Sequence, residues 1–152
     1  MKQPHAVLLL ATAALVGCTP GARRPAVEHL TSPGLESLNL PFSEAVRVGD
    51  TLYLSGQIGN LPGTVELAPG GIEGETRQTL ENIKATLERH GSSLDRVVKC
   101  TVFLADIDEW PRLNEVYRTY FPTNPPARSA VAGSGLALGA RVEIECIAVI
   151  GP

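Results

Sequence analysis

The sequence predicts an α+β domain: one sheet with two helices on one of its faces, in the order β-β-α-β-α-β-β. Three observations predict it. Val97 to Leu104 and Arg141 to Ile150 alternate apolar and polar residues, the period of a half-buried strand. Ile72 to His90 instead repeats its apolar residues at the period of a helix. A second, shorter helical pattern ends at Tyr120, between the two alternating runs.

Each element has its own signal. Phe42 to Val48 and Thr51 to Ile58 are β-rich and separated by Gly49-Asp50, which predicts a hairpin. Leu61 to Gly71 holds Pro62, Gly63, Pro69, Gly70 and Gly71 and reads as loop. In the first helix Leu80, Ile83 and Leu87 make an apolar stripe, and Arg77, Glu81, Lys84 and Glu88 a charged one. Gly91 stands where a left-handed cap is expected. Along Val97 to Leu104 the pattern places Val98, Cys100, Val102 and Leu104 on one face, with Lys99 and Thr101 on the other. Asp108 is the expected N-cap of the second helix and Pro111 fits its first turn. Leu113, Val116, Tyr117 and Tyr120 form its apolar side, and Pro122, Pro125 and Pro126 end it. Ala127 to Val131 and Arg141 to Ile150 are the last strands; in the final one Glu143 and Glu145 lie opposite Val142, Ile144, Cys146 and Ala148. Two helices cover one face of a sheet, so the second face is expected to meet another subunit.

The N-terminus reads as an address. Lys2 precedes the apolar run Ala6 to Val16, which is too short for a standard membrane-spanning helix but fits the core of a signal peptide. It ends Leu15-Val16-Gly17-Cys18, which resembles a bacterial lipobox, with Cys18 as the lipidated residue. Thr19 after it mildly favours the outer membrane, with a periplasm-facing domain; a non-functional leader would leave the protein cytoplasmic. Met1 is the only Met, so no internal ATG offers a leaderless start. The expected division is 1–17 signal peptide, 18–38 flexible tether and 39–152 domain. The 152-residue chain carries a net charge of −3. Loss of Lys2 with the signal takes this to −4, which argues against a nucleic-acid partner.

Several chemistries lack their residues. His5, His29 and His90 are dispersed, so no metal-ligand spacing exists and no metal is expected. There is no phosphate-binding glycine motif and no GxSxG. Cys100 and Cys146 lie on apolar faces of two strands, which favours packed free thiols, although an exported chain leaves a disulfide open. Arg128, in a short strand, is costly to bury unless it meets an anion, and its guanidinium suits a carboxylate. Glu143, on what reads as the neighbouring strand, suits activation of a water. The residues alone favour a simpler arrangement, an inter-strand ion pair between Arg128 and Glu143.

Leu40 to Val149 also resembles the RidA/YjgF/UK114 family of reactive-intermediate deaminases. Among the segments that carry the resemblance are Phe42-Ser43-Glu44-Ala45-Val46, Leu54-Ser55-Gly56-Gln57-Ile58, Gln78-Thr79-Leu80-Glu81-Asn82-Ile83 and Asn114-Glu115-Val116-Tyr117. Pro126-Ala127-Arg128-Ser129 and Val142-Glu143-Ile144-Glu145 complete them. The resemblance implies a chorismate-mutase-like homotrimer with clefts between subunits. It implies hydrolysis of enamines or imines, such as 2-aminoacrylate and 2-iminopropanoate, to 2-keto acids and ammonia without a cofactor. Arg128 would clamp the substrate carboxylate, with the Ala130 N–H as a further donor, and Glu143 would orient the water. Gly56, Asn114 and Phe42 would line the cleft. Three positions depart from the family's usual residues: Phe42 for Tyr, Glu44 for Gln, which adds charge near an anion site, and Ala130 for Cys. These departures, with the lipobox, leave an alternative: a non-catalytic, envelope-anchored module that binds small carboxylates.

Overall fold

The computed structural model describes residues 25–32 and 40–151. Signal peptide, Cys18 and most of the predicted tether lie outside them. Seven strands form one mixed sheet: β1 (Val27–Leu30), β2 (Ala45–Val48), β3 (Thr51–Leu54), β4 (Gln57–Ile58), β5 (Val97–Leu104), β6 (Ala127–Ala132) and β7 (Val142–Val149). The helices are α1 (Gly71–Arg89) and α2 (Trp110–Tyr120). The spatial order is β1-β2-β3-β7-β5-β6, with β4 pairing further along β7. All pairings are antiparallel except β5 with β6, which is parallel and makes β6 an edge strand.

Both helices pack on one side. Leu80, Ile83 and Leu87 of α1 and Leu113 of α2 are fully buried against Leu52, Val102, Leu104, Val142, Ile144 and Ala148 of the sheet. The charged stripe of α1 is exposed, and Gly91 ends the helix in the left-handed region at φ 77°. The hairpin forms as predicted, with Val48 opposite Thr51. The sheet's other face carries Tyr53, Lys99, Thr101, Phe103, Ser129, Glu143, Glu145 and Ile147 and is not covered by this chain.

Four expectations change. Residues 27–30, read as tether, form β1 and pair with β2. A bulge between Val97 and Lys99 puts Val97 in the core and turns Val98 to solvent, so Val98 does not share the face of Cys100. Asp108 does not cap α2. It lies inside a 3₁₀ turn, Ile107–Glu109, capped by Asp106, whose Oδ1 accepts from the Asp108 N–H at 2.9 Å. Cys100 and Cys146 are joined in a disulfide. Their strands are neighbours, and the two residues are direct partners in the β5–β7 register on the same face. Alternation alone could show the face, but not the adjacency.

Candidate active site

Arg128 sits on edge strand β6 in register with Cys100, and therefore faces the helices. Its Nη2 donates to Asn114 Oδ1 at 2.6 Å. Its guanidinium carbon lies 4.6 Å from the Tyr117 ring centroid and 5.9 Å from that of Trp110. Trp110, Asn114 and Tyr117 are spaced i, i+4 and i+7, which places them on one face of α2. One helix face thus cradles the cation with two aromatic rings and an amide oxygen. Burial raises the Tyr117 phenol to about 12, partly offset by the Arg128 charge, so the ring meets the guanidinium as a neutral phenol. Asn114 takes one of Arg128's five N–H donors, which leaves a fork for a planar anion.

Beside Arg128 opens a cleft of about 480 Å³, lined by Ile107, Asp108, Trp110, Pro111, Arg128 and Ala130. Arg128, Ala130 and Asn114 thus come together on the helix side of the sheet. Sequence reasoning missed Trp110, Ile107 and Pro111, and took Tyr117 only as core. The i, i+4, i+7 spacing through Asn114 was the available signal.

Glu143 is elsewhere. It alternates with the buried Val142 and Ile144 and so faces the open side of the sheet. Strand β5 lies between β6 and β7, so Glu143 is not on the strand next to Arg128, and the two form no ion pair. The predicted inter-strand pair is therefore replaced by separation to opposite faces. The Glu143 carboxylate passes over Gly56: a Cβ built there would lie 1.9 Å from Glu143 Oε1. Gly56 thus leaves the space that the Glu143 carboxylate occupies, a reason separate from close approach of a ligand. Phe42, 57% exposed, precedes β2, at the far end of the sheet from β6. Within one chain the predicted residues form two groups: Arg128, Asn114 and Ala130 on one, and Glu143, Gly56 and Phe42 away from it.

Glu44 is not free to act on an anion site. It is 8% exposed and accepts from Thr86 Oγ1 at 3.0 Å, Arg89 Nη1 at 2.8 Å and Ser32 Oγ, with His90 Nε2 at 3.3 Å. Its charge is spent tying β2 to the end of α1. Among the described residues no group of three His, Cys, Asp or Glu side chains is placed to hold a metal.

Residues 36–150 match the family model described as Endoribonuclease L-PSP. The chain belongs to the RidA/YjgF family. A mouse protein named 2-iminobutanoate/2-iminopropanoate deaminase is 46% identical over 112 residues, covering 74% of this chain and 83% of that protein. The structure of the Escherichia coli YjgF gene product matches with a TM-score of 0.68 at 36% identity, covering 72% of this chain and 87% of that one. RidA from a Psychrobacter species matches with a TM-score of 0.70 at 40% identity, covering 80% and 94%. These likenesses show the RidA/YjgF fold: a single mixed sheet with two helices.

Proposed function

We propose that this RidA/YjgF chain hydrolyses 2-imino acids and their enamine tautomers to 2-keto acids and ammonia. The observation that carries the reading is Arg128, held by Asn114 and Tyr117 at the lining of a cleft. The deaminase name of the mouse relative supplies the reaction class. Arg128 binds the substrate carboxylate, assisted by the Ala130 N–H. Glu143 orients a water and takes a proton from it as its oxygen bonds to the imine carbon. The C=N π pair moves to nitrogen, which is protonated. The resulting carbinolamine loses ammonia as the C–N bond breaks, its hydroxyl proton leaves and the carbonyl forms. An iminium carbon is already electrophilic, so orientation is the main requirement.

Because Arg128 and Glu143 face opposite sides of one sheet, the reading also requires a second copy. A homotrimer whose open sheet faces turn inward brings Glu143, Gly56 and Phe42 of one subunit toward the β6 edge of the next. The lipobox at Cys18 further supports an envelope-anchored, periplasm-facing enzyme. Cleavage of RNA is a poor fit to an acidic chain.

The test generates imines in situ with an amino-acid oxidase and follows semicarbazone trapping. The wild type should suppress trapping by clearing the imine, and Arg128→Ala should lose at least about a hundredfold in kcat/KM. No effect of the wild type, or an equal effect of the variant, rejects the reading. Binding of 2-keto acids without turnover would favour the non-catalytic carboxylate module.

A further inference from the structure

We infer that the wall formed by Trp110, Ile107 and Pro111 is the side-chain subsite of the Arg128 cleft, and that it selects 2-imino acids with bulky apolar side chains. The inference rests on the deaminase reading and names its substrate class.

A carboxylate on Arg128 fixes one end of any substrate. What lies beside that end is apolar. Trp110 is 42% exposed and Ile107 52%, and both line the same cleft as Arg128, with Pro111 in the first turn of α2. Large apolar side chains left exposed together at an anion anchor point to an amphiphilic ligand. The anchor and the wall are also mechanically linked. Trp110 stands 5.9 Å from the guanidinium on the helix face that holds it, so the distance from carboxylate to wall is set by α2 and not by a mobile loop.

Size supports the assignment. Within one chain the cleft holds about 480 Å³ before a neighbouring subunit closes on it, inside the range of small-molecule sites, about 300–1,000 Å³. Charge sharpens it. Among the described residues of one chain, Asp108 is the one charged group besides Arg128 that lines the cleft, and it disfavours a second carboxylate on the substrate. Ala130 adds a small neutral surface. Imino acids derived from leucine or phenylalanine meet these conditions, and the alanine-derived imine leaves the wall uncovered.

The experiment compares kcat/KM for imines generated in situ from leucine, phenylalanine and alanine, with wild type, Trp110→Ala, Trp110→Phe and Ile107→Ala. Circular dichroism and light scattering establish that each variant is folded and assembled. The wild type should favour the leucine- and phenylalanine-derived imines by about tenfold or more. Trp110→Ala should bring that ratio close to one, whatever it does to absolute rates; Ile107→Ala should lower it, and Trp110→Phe should keep most of it. A wild type that hydrolyses all three imines equally, or a ratio unmoved by Trp110→Ala and Ile107→Ala, overturns the subsite and leaves the deaminase reading intact. In that case the exposed tryptophan serves subunit packing. A wild type inactive on every imine overturns both.

Discussion

One added methyl at position 56 would place a carbon 1.9 Å from Glu143 Oε1, so the carboxylate would have to move. Gly56→Ala is therefore expected to lower imine turnover by about a hundredfold, the usual scale of a misplacement near 1 Å, while its thermal midpoint stays near that of the wild type. Steady-state kinetics beside a melting curve separate the two effects; a fully active variant would disprove the placement. Glu44 is the opposite case, a residue whose cost is stability. Burial alone would raise its carboxyl, but hydrogen bonds from Ser32, His90 and Thr86, and the charge of Arg89, outweigh burial and hold it below the ordinary carboxylate value. A lowered folded value gives stability that is present above the unfolded value and lost as pH falls through the folded one. Glu44→Gln should cost about 1–3 kcal/mol at neutral pH and show a shallower loss toward acid. Urea midpoints at both pH values check this, and parallel acid limbs would refute it. The sequence located Glu44 but not its partners, because Ser32, Thr86 and Arg89 lie far from it along the chain.

Among the elements, the helices and the Gly49-Asp50 hairpin were legible because their signals are local: period, turn residues and a capping glycine. Strand β1 was not. Val27–Leu30 is four residues with three exposed and shows no alternation, so only its pairing with β2 defines it. The bulge that turns out Val98 is likewise a property of the β5–β7 pair and not of either strand. For the site, Arg128, Asn114 and Ala130 were readable as motif residues. The separation of Glu143 was hidden, because chain order places β7 after β6 while the sheet inserts β5 between them. The same β5–β7 adjacency creates the Cys100–Cys146 bond, which closes a sequence separation of 46 residues. A crosslink of that span restricts the unfolded chain by at most roughly 4 kcal/mol. Reduction should therefore lower the unfolding midpoint; melting curves with and without dithiothreitol measure it, and identical curves would exclude a stabilising bond.

At the scale of the whole molecule, opposite-face placement makes a strong demand. If Arg128 of one subunit serves Glu143 of the next, two inactive variants should complement each other. In randomly mixed trimers of Arg128→Ala and Glu143→Ala, half the clefts receive the intact arginine and half of those the intact glutamate. About a quarter of wild-type activity is then expected to return. Co-refolding of the two variants followed by the imine assay tests this, and recovery no greater than the sum of the separate variants would place both residues' action within one subunit.

The bond between Cys100 and Cys146 also divides the chain in a way that strand order does not. Ile107, Trp110, Asn114, Tyr117, Arg128, Ala130 and Glu143 all fall between its two ends. Gly56 and Phe42 fall outside. The cation cradle, its apolar wall and the Glu143 carboxylate are thus enclosed in one covalent ring. A protease cut in the exposed 133–139 turn would open that ring but release neither fragment, so the nicked chain would remain a single molecule until it met a reductant.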